Sequence, residues 1–323
     1  MATKVPYLFR LEEAARLVHT VMPPTPQYCW PLLCHRVGTE VWVKHENHTP
    51  IGAFKVRGGL VLMDYLRRSK PGVAGIVSAT RGNHGQSLAF AARRHGLKTV
   101  IVVPHGNSVE KNAAMQALGA ELIEYGDDFQ AATEHAQRLA LERDWFRVPS
   151  FHPLLVEGVA TGALELLRTV TDLDTVYVPI GMGSGICAMV AVRDALGLRM
   201  RIVGVVSSGA PAYARSFVAG RPVSHPVTTL VADGLACRQP DPDALEVIRR
   251  GVERIVEVSD AEIEEAMRAF FYDTHNVAEG AGAAGLAALL QESSKMAGRK
   301  VGLVLCGGNV DSGVFARILA AHG

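Results

Sequence analysis

Residues 75–103 read GIVSATRGNHGQSLAFAARRHGLKTVIVV. Two short runs rich in β-branched residues, Gly75–Ser78 and Thr99–Val103, flank an amphipathic stretch, Gln86–His95, which predicts strand, helix, strand. The alternation continues through Val109–Leu118, Glu121–Tyr125 and Phe129–Asp144. Such a β-α-β-α-β-α series is the pattern of a parallel sheet with covering helices. Asn107 and Glu110 have the spacing of a capping box at the start of the second helix, and Gly119 supplies its stop.

A second alternating series begins at Asp174: strand Thr175–Pro179, helix Ile186–Leu196, strand Arg201–Val206, helices Pro211–Ala219, Ala261–His275 and Ala281–Met296, and strand Val301–Cys306. Ser259 and Glu262 form a further capping box. No repeat, low-complexity tract or long polar linker separates the two series. The expected architecture is α/β, with two open twisted sheets covered by helices and a cleft between them. Residues 74–147 form the smaller, mobile lobe, inserted into a larger lobe made of residues 1–73 and 148–323. The 14 residues after Asn309 hold only a short helix, so no regulatory domain is expected there.

Composition narrows the function classes. The 323 residues are 48% hydrophobic with positive mean hydropathy, which excludes a disordered chain. Thirty-three basic residues oppose 32 acidic ones, with no basic run, so nucleic acid is not an expected partner. Five cysteines, none in Cys-x-x-Cys spacing, read as reduced residues of a cytoplasmic protein. The N-terminus lacks the charged and apolar regions of a signal peptide. The uncharged stretch Thr175–Val192 nearly has the length of a membrane span, but Pro179 and three alternating glycines make it strand, loop and helix start.

Two segments carry chemistry on their own residues. Gly181-Met182-Gly183-Ser184-Gly185 follows a strand and opens a helix, the arrangement in which backbone N–H groups converge on a phosphate. A Gly-x-Gly-x-Gly loop equally suggests dinucleotide binding. Ile186, where that fingerprint wants a small residue, and Val206-Ser207, where it wants an acid, argue against it. Phe54-Lys55 pairs an amine with an aromatic ring, and burial there would hold the amine neutral and nucleophilic, although an isolated Phe-Lys reads more simply as a basic residue at the start of an amphipathic helix. His45-Glu46-Asn47-His48 lacks the spacing of a zinc helix, and no metal is expected.

Five segments, taken together, resemble the fold-type-II pyridoxal-phosphate enzymes, and within them the serine/threonine dehydratase (threonine ammonia-lyase) family. They are Lys44–Gly59, Arg81-Gly82-Asn83-His84-Gly85-Gln86, Gly181–Gly185, Glu279-Gly280-Ala281-Gly282-Ala283-Ala284 and Cys306-Gly307-Gly308-Asn309, in the family's order and spacing over nearly the whole chain. The resemblance implies a tryptophan-synthase-β-like fold, pyridoxal 5'-phosphate as cofactor and Lys55 as both its attachment point and the catalytic base. It implies further cofactor contacts from Phe54, Asn83, Gly181, Met182, Gly183, Ser184, Gly185, Glu279 and Cys306. Thr80, Arg81, Asn83 and His84 would face the substrate. A thiol at position 306 does not hold the pyridine nitrogen protonated, which favours elimination over transamination.

The implied activity is dehydration and deamination of a β-hydroxy-α-amino acid such as threonine or serine, in a homodimer without membrane association. The alternatives are a dehydratase for 3-hydroxyaspartate or phenylserine, a β-replacement synthase of the cysteine-synthase kind, and a non-enzymatic or nicotinamide-binding α/β protein. The chain departs from the family pattern in places. Ala53 replaces a serine, Met182 and Ser184 replace glycines, and residues 152–158 form a shortened loop. Val206 and Ala212 stand where some members carry acidic cation ligands. Arg81 stands where racemases use serine as an acid/base on the opposite face, and an always-protonated guanidinium cannot do that work.

Overall fold

Ten strands divide between two sheets in the computed structural model, which describes residues 6–321. Of the stretch read as lacking a signal-peptide pattern, residues 1–7, the first five lie outside the described residues. The strands are β1 (Gln27–Cys29), β2 (Glu40–His45), β3 (Gly75–Ala79), β4 (Lys98–Val103), β5 (Glu121–Glu124), β6 (Phe146–Arg147), β7 (Thr175–Pro179), β8 (Arg201–Ser207), β9 (Arg254–Val258) and β10 (Lys300–Leu305). One sheet has the order β1-β2-β10-β7-β8-β9, the other β5-β4-β3-β6. Every pairing is parallel except β1 with β2. Parallel strands buried on both faces carry unbroken apolar runs, and β3 and β7 are buried at every position.

All four strands of the smaller sheet come from residues 75–147. The chain thus leaves the six-stranded sheet after β2, builds the four-stranded sheet, and returns through the helix Pro153–Thr169 to β7. Both sheets present the carboxyl ends of their strands to loops that run into helix starts, the usual place for a ligand in an open α/β sheet.

Several local expectations shift. The helix after β3 starts at Asn83 rather than Gln86, and the helix after β7 at Ser184 rather than Ile186. In both, glycine-bearing residues read as loop already belong to the first turn. The cap of helix Val109–Ala117 is Ser108, whose Oγ accepts from the Lys111 N–H at 3.1 Å, and not Asn107. Asn107 instead donates to Asn112, and Glu110 accepts from Ser312. The capping box of Ser259 and Glu262 is present. The stretch Ala281–Met296 is two helices, Gly280–Gln291 and Ser293–Met296. Residues 153–158 are not a loop but the first turns of Pro153–Thr169, with Pro153 at the first helical position. No helix among the described residues is long and apolar enough to cross a membrane.

Candidate active site

Backbone contacts between distant segments create the site. The Phe54 N–H donates to the Cys306 carbonyl at 2.9 Å, and Ala53 bridges Gly307, which ties the start of helix Lys55–Ser69 to the end of β10. Thr49 holds the preceding turn, its hydroxyl donating to the Ala53 carbonyl and accepting from the Ala53 N–H. At Ala53, then, the backbone rather than a side chain makes the contacts.

This anchoring places Lys55 Nζ 4.7 Å from the centre of the Phe54 ring and within donating distance, 3.1 Å, of Ser184 Oγ. Burial lowers the Lys55 amine from its ordinary value to about 8, while Cys306 and Glu279 pull weakly the other way. Desolvation therefore brings the amine much closer to the neutral, nucleophilic form than an ordinary lysine.

Ser184 begins the helix Ser184–Ala195 that follows β7. Its first turn is closed by the Cys187 N–H donating to the Gly183 carbonyl at 3.0 Å, so the N–H groups of Ser184, Gly185 and Ile186 have no partner within the helix. Gly183 has φ +100°, and a Cβ on Gly181 would lie 2.2 Å from the Gly234 carbonyl oxygen. No side chain fits at Gly181, and Gly183 holds a conformation that favours glycine, whereas Met182 and Ser184 carry side chains.

Across the cleft, Asn83 Nδ2 donates to Glu279 Oε1 at 2.6 Å, while Asn83 Oδ1 accepts from Asn309 Nδ2 at 2.8 Å. The two partners fix which way the amide faces and leave its second N–H free. Glu279 also accepts from Lys111 Nζ at 3.1 Å, and Lys111 donates to Asp233 at 2.6 Å. Burial pushes the Glu279 carboxyl up, Lys111 opposes this, and the two carboxylates hold Lys111 charged. Cys306 is buried, and desolvation raises its thiol far above the range in which it would ionise.

His84 is buried, with its Nε2 unpartnered among the described residues, and burial with the nearby Lys55 lowers its pKa to about 3. It is a neutral imidazole. Thr80 Oγ1 accepts from the Gly82 N–H and shapes the turn into helix Asn83–Arg93.

The residues expected to meet the cofactor and the substrate all line one cleft. Lys111, Asp233 and Gly234 line it too and were missed. Lys111 shares the buried face of its helix with Met115, a lysine at an apolar position and hence a legible signal. Asp233 and Gly234 sit in a short 3-10 turn with no periodicity to reveal them. The rings of His45 and His48 pack with centres 5.0 Å apart, but Glu46 faces away and pairs with Arg57, and the two histidines bond to Asn47 and Asn276. Among the described residues no group of three or more His, Cys, Asp or Glu could hold a metal ion. Val206 and Ala212 are buried in the core.

The groups present fit pyridoxal phosphate: a glycine-rich loop with unpaired N–H donors and the Ser184 hydroxyl for the phosphate, a desolvated lysine, an amide fixed by two partners and a neutral thiol. Residues 19–307 match the family of pyridoxal-phosphate dependent enzymes, and the chain belongs to it. More particularly, it is 35% identical over 293 residues to the L-threonine ammonia-lyase of Geobacter sulfurreducens, covering 89% of this chain and 73% of that protein. It is 32% identical to the L-threo-3-hydroxyaspartate ammonia-lyase of a Pseudomonas species, covering 91% of this chain and 92% of that protein. The fold superposes on maize serine racemase with TM-score 0.91 at 27% identity, over 97% of each chain. Several relatives are longer, and the chain spans only 58–60% of their length.

Proposed function

We propose that this protein is a pyridoxal-phosphate-dependent lyase that removes water and then ammonia from a β-hydroxy-α-amino acid, giving a 2-oxo acid. The observation that carries this is Lys55, half-buried, with its amine lowered to about 8 and its Nζ 3.1 Å from Ser184 Oγ at the glycine loop. The relatives named as ammonia-lyases support the reaction class.

When bound, the cofactor supplies an electron sink for the pair left on the substrate's α-carbon. Lys55 anchors it and takes the α-proton. The C–O bond to the β-carbon breaks, and hydroxide leaves with the bonding pair and is protonated to water. Lys55 then expels the enamino acid, which hydrolyses to 2-oxo acid and ammonia. The N–H groups at Ser184–Ile186 and the Ser184 hydroxyl hold the phosphate. Asn83 offers its free N–H to the ring oxygen. The Cys306 thiol, neutral at any working pH, leaves the pyridine nitrogen unprotonated and so keeps the sink weak, which favours loss of the β-group over transamination.

Arg81 cannot return a proton to the opposite face, which speaks for elimination rather than racemisation. In this reading residues 74–147 move as a unit to close the cleft. The chain pairs as a homodimer in the cytoplasm, a reading supported by exposed Tyr28 and Leu32 beside the edge strand β1 and by free thiols at all five cysteines. The test is a coupled assay for 2-oxo acid and ammonia with threonine, serine and their 3-substituted relatives. Absence of both products with all of them contradicts the proposal.

A further inference from the structure

Arg81 is exposed at the mouth of the cleft and lines both the inner space around Lys55 and the outer groove that runs past Ser108 and Asp311. It makes no hydrogen bond or ion pair with any described residue. The acids around it are engaged elsewhere: Asp233 with Lys111, Glu279 with Lys111 and Asn83, Asp128 with the Ala131 N–H, and Asp311 with Ser108. The structure thus gives the guanidinium no internal task.

The donors beside it already meet the needs of one carboxylate. The first turn of helix Asn83–Arg93 closes with the Gln86 N–H donating to the Gly82 carbonyl, so the N–H groups of Asn83, His84 and Gly85 are unpaired. Thr80 Oγ1 accepts from Gly82, which leaves its O–H free to donate. Three N–H groups and one hydroxyl fill the roughly four lone-pair sites of a carboxylate. Arg81 is surplus to that set, and its planar fork is shaped for a carboxylate of its own.

We propose that Arg81 sets substrate choice, and that the cleft takes a β-hydroxy-α-amino acid bearing a second carboxylate on its β-carbon, the 3-hydroxyaspartate class. This rests on the lyase reading above. The α-carboxylate sits at the helix start and the side-chain carboxylate at Arg81, one carbon further along the substrate.

The experiment compares kcat/KM of the holoenzyme for 3-hydroxyaspartate, threonine and phenylserine in the wild type, Arg81→Ser and Arg81→Lys. Alongside it, calorimetry compares the binding of L-aspartate and L-alanine, neither of which carries a β-hydroxyl to lose. The wild type should prefer the dicarboxylate. Arg81→Ser should lower the ratio of dicarboxylate to threonine by roughly 10–150-fold, the worth of a charge-assisted hydrogen bond, and abolish the preference for aspartate over alanine. Arg81→Lys, which keeps the charge but not the fork, should retain part of both.

A wild type that prefers threonine or phenylserine overturns the proposal, as does a ratio unchanged in Arg81→Ser. An equal loss on all substrates marks Arg81 as a clamp on the α-carboxylate and overturns it too. If the wild type releases no 2-oxo acid from any substrate, the lyase reading fails, and the aspartate-to-alanine comparison then decides the role of Arg81 by itself.

Discussion

Lys111, on the helix that follows β4, reaches across the cleft to place its Nζ 3.1 Å from Glu279 Oε2, at the start of a helix packed on the other sheet. Both side chains are buried, with 7% and 2% of their surface exposed. This pair joins the two sheets at the same point where Glu279 orients Asn83.

Lys111→Met should therefore do two things. It leaves two carboxylates without their cation, and breaking a buried pair costs roughly 3–5 kcal/mol. Glu279 then takes up a proton and stops acting as a charged acceptor for Asn83. Thermal unfolding should shift down and cofactor affinity should fall together. Unchanged melting with unchanged affinity contradicts the role given to this pair.

The Lys55 amine, lowered from 10.5 to about 8, is mostly protonated below that pH and mostly neutral above it. Only the neutral amine attacks an aldehyde. Capture of pyridoxal phosphate by the apoprotein should accelerate about tenfold per pH unit up to roughly pH 8 and level off beyond. Stopped-flow absorbance measures this, and a rate that still climbs steeply through pH 10 would show an unperturbed amine.

Beneath the site, Arg57 is fully buried between Glu46 and Glu165, with Lys44 also on Glu165 at 2.7 Å. The hydrogen bonds and charge of Arg57 outweigh burial and hold Glu165 at about 2, below its ordinary 4.5. A carboxyl depressed in the folded state stabilises above its unfolded pKa, and the contribution is lost as pH falls through the folded one. Stability from this network should be intact above about pH 4.5 and drain away toward pH 2. Arg57→Leu should destabilise by roughly 3–5 kcal/mol at neutral pH. Urea unfolding across this range measures both, and a wild-type curve flat down to pH 2 rules the network out as a source of stability.

Cys306→Asp replaces a neutral thiol with a carboxylate able to hold the pyridine nitrogen protonated, which strengthens the electron sink. The share of turnovers that end in transamination should rise against those that release ammonia, while Cys306→Ser should keep the wild-type ratio. Product analysis by mass spectrometry reads it, and an identical ratio in the aspartate variant means that position 306 does not face the ring.

The parallel sheets were legible because their strands are buried on both faces and so read as unbroken apolar runs. Val100–Val103, all fully buried, is the clearest case. β9 was not legible: Arg254, Ile255, Val256 and Glu257 are partly or largely exposed at a sheet edge, and their mixed pattern has no strand period. Helix starts slid outward because Asn83 and Ser184 begin helices at glycine-bearing turns, where a loop and a first helical turn share one composition. In the site, residues inside glycine motifs were found from sequence. Asp233 was not, since what makes it a member is a contact with Lys111, 122 residues away, and Lys111 was overlooked although a lysine among the buried positions of its helix is a sequence signal.

The account stands or falls on Lys55. Borohydride reduction of the purified holoenzyme fixes the cofactor to its lysine irreversibly, and peptide mapping then reads out which lysine carries it. The prediction is a single modified peptide containing Lys55, with loss of the visible absorbance band and of turnover. Modification of the buried lysines Lys44 or Lys111, or of none, would contradict the account.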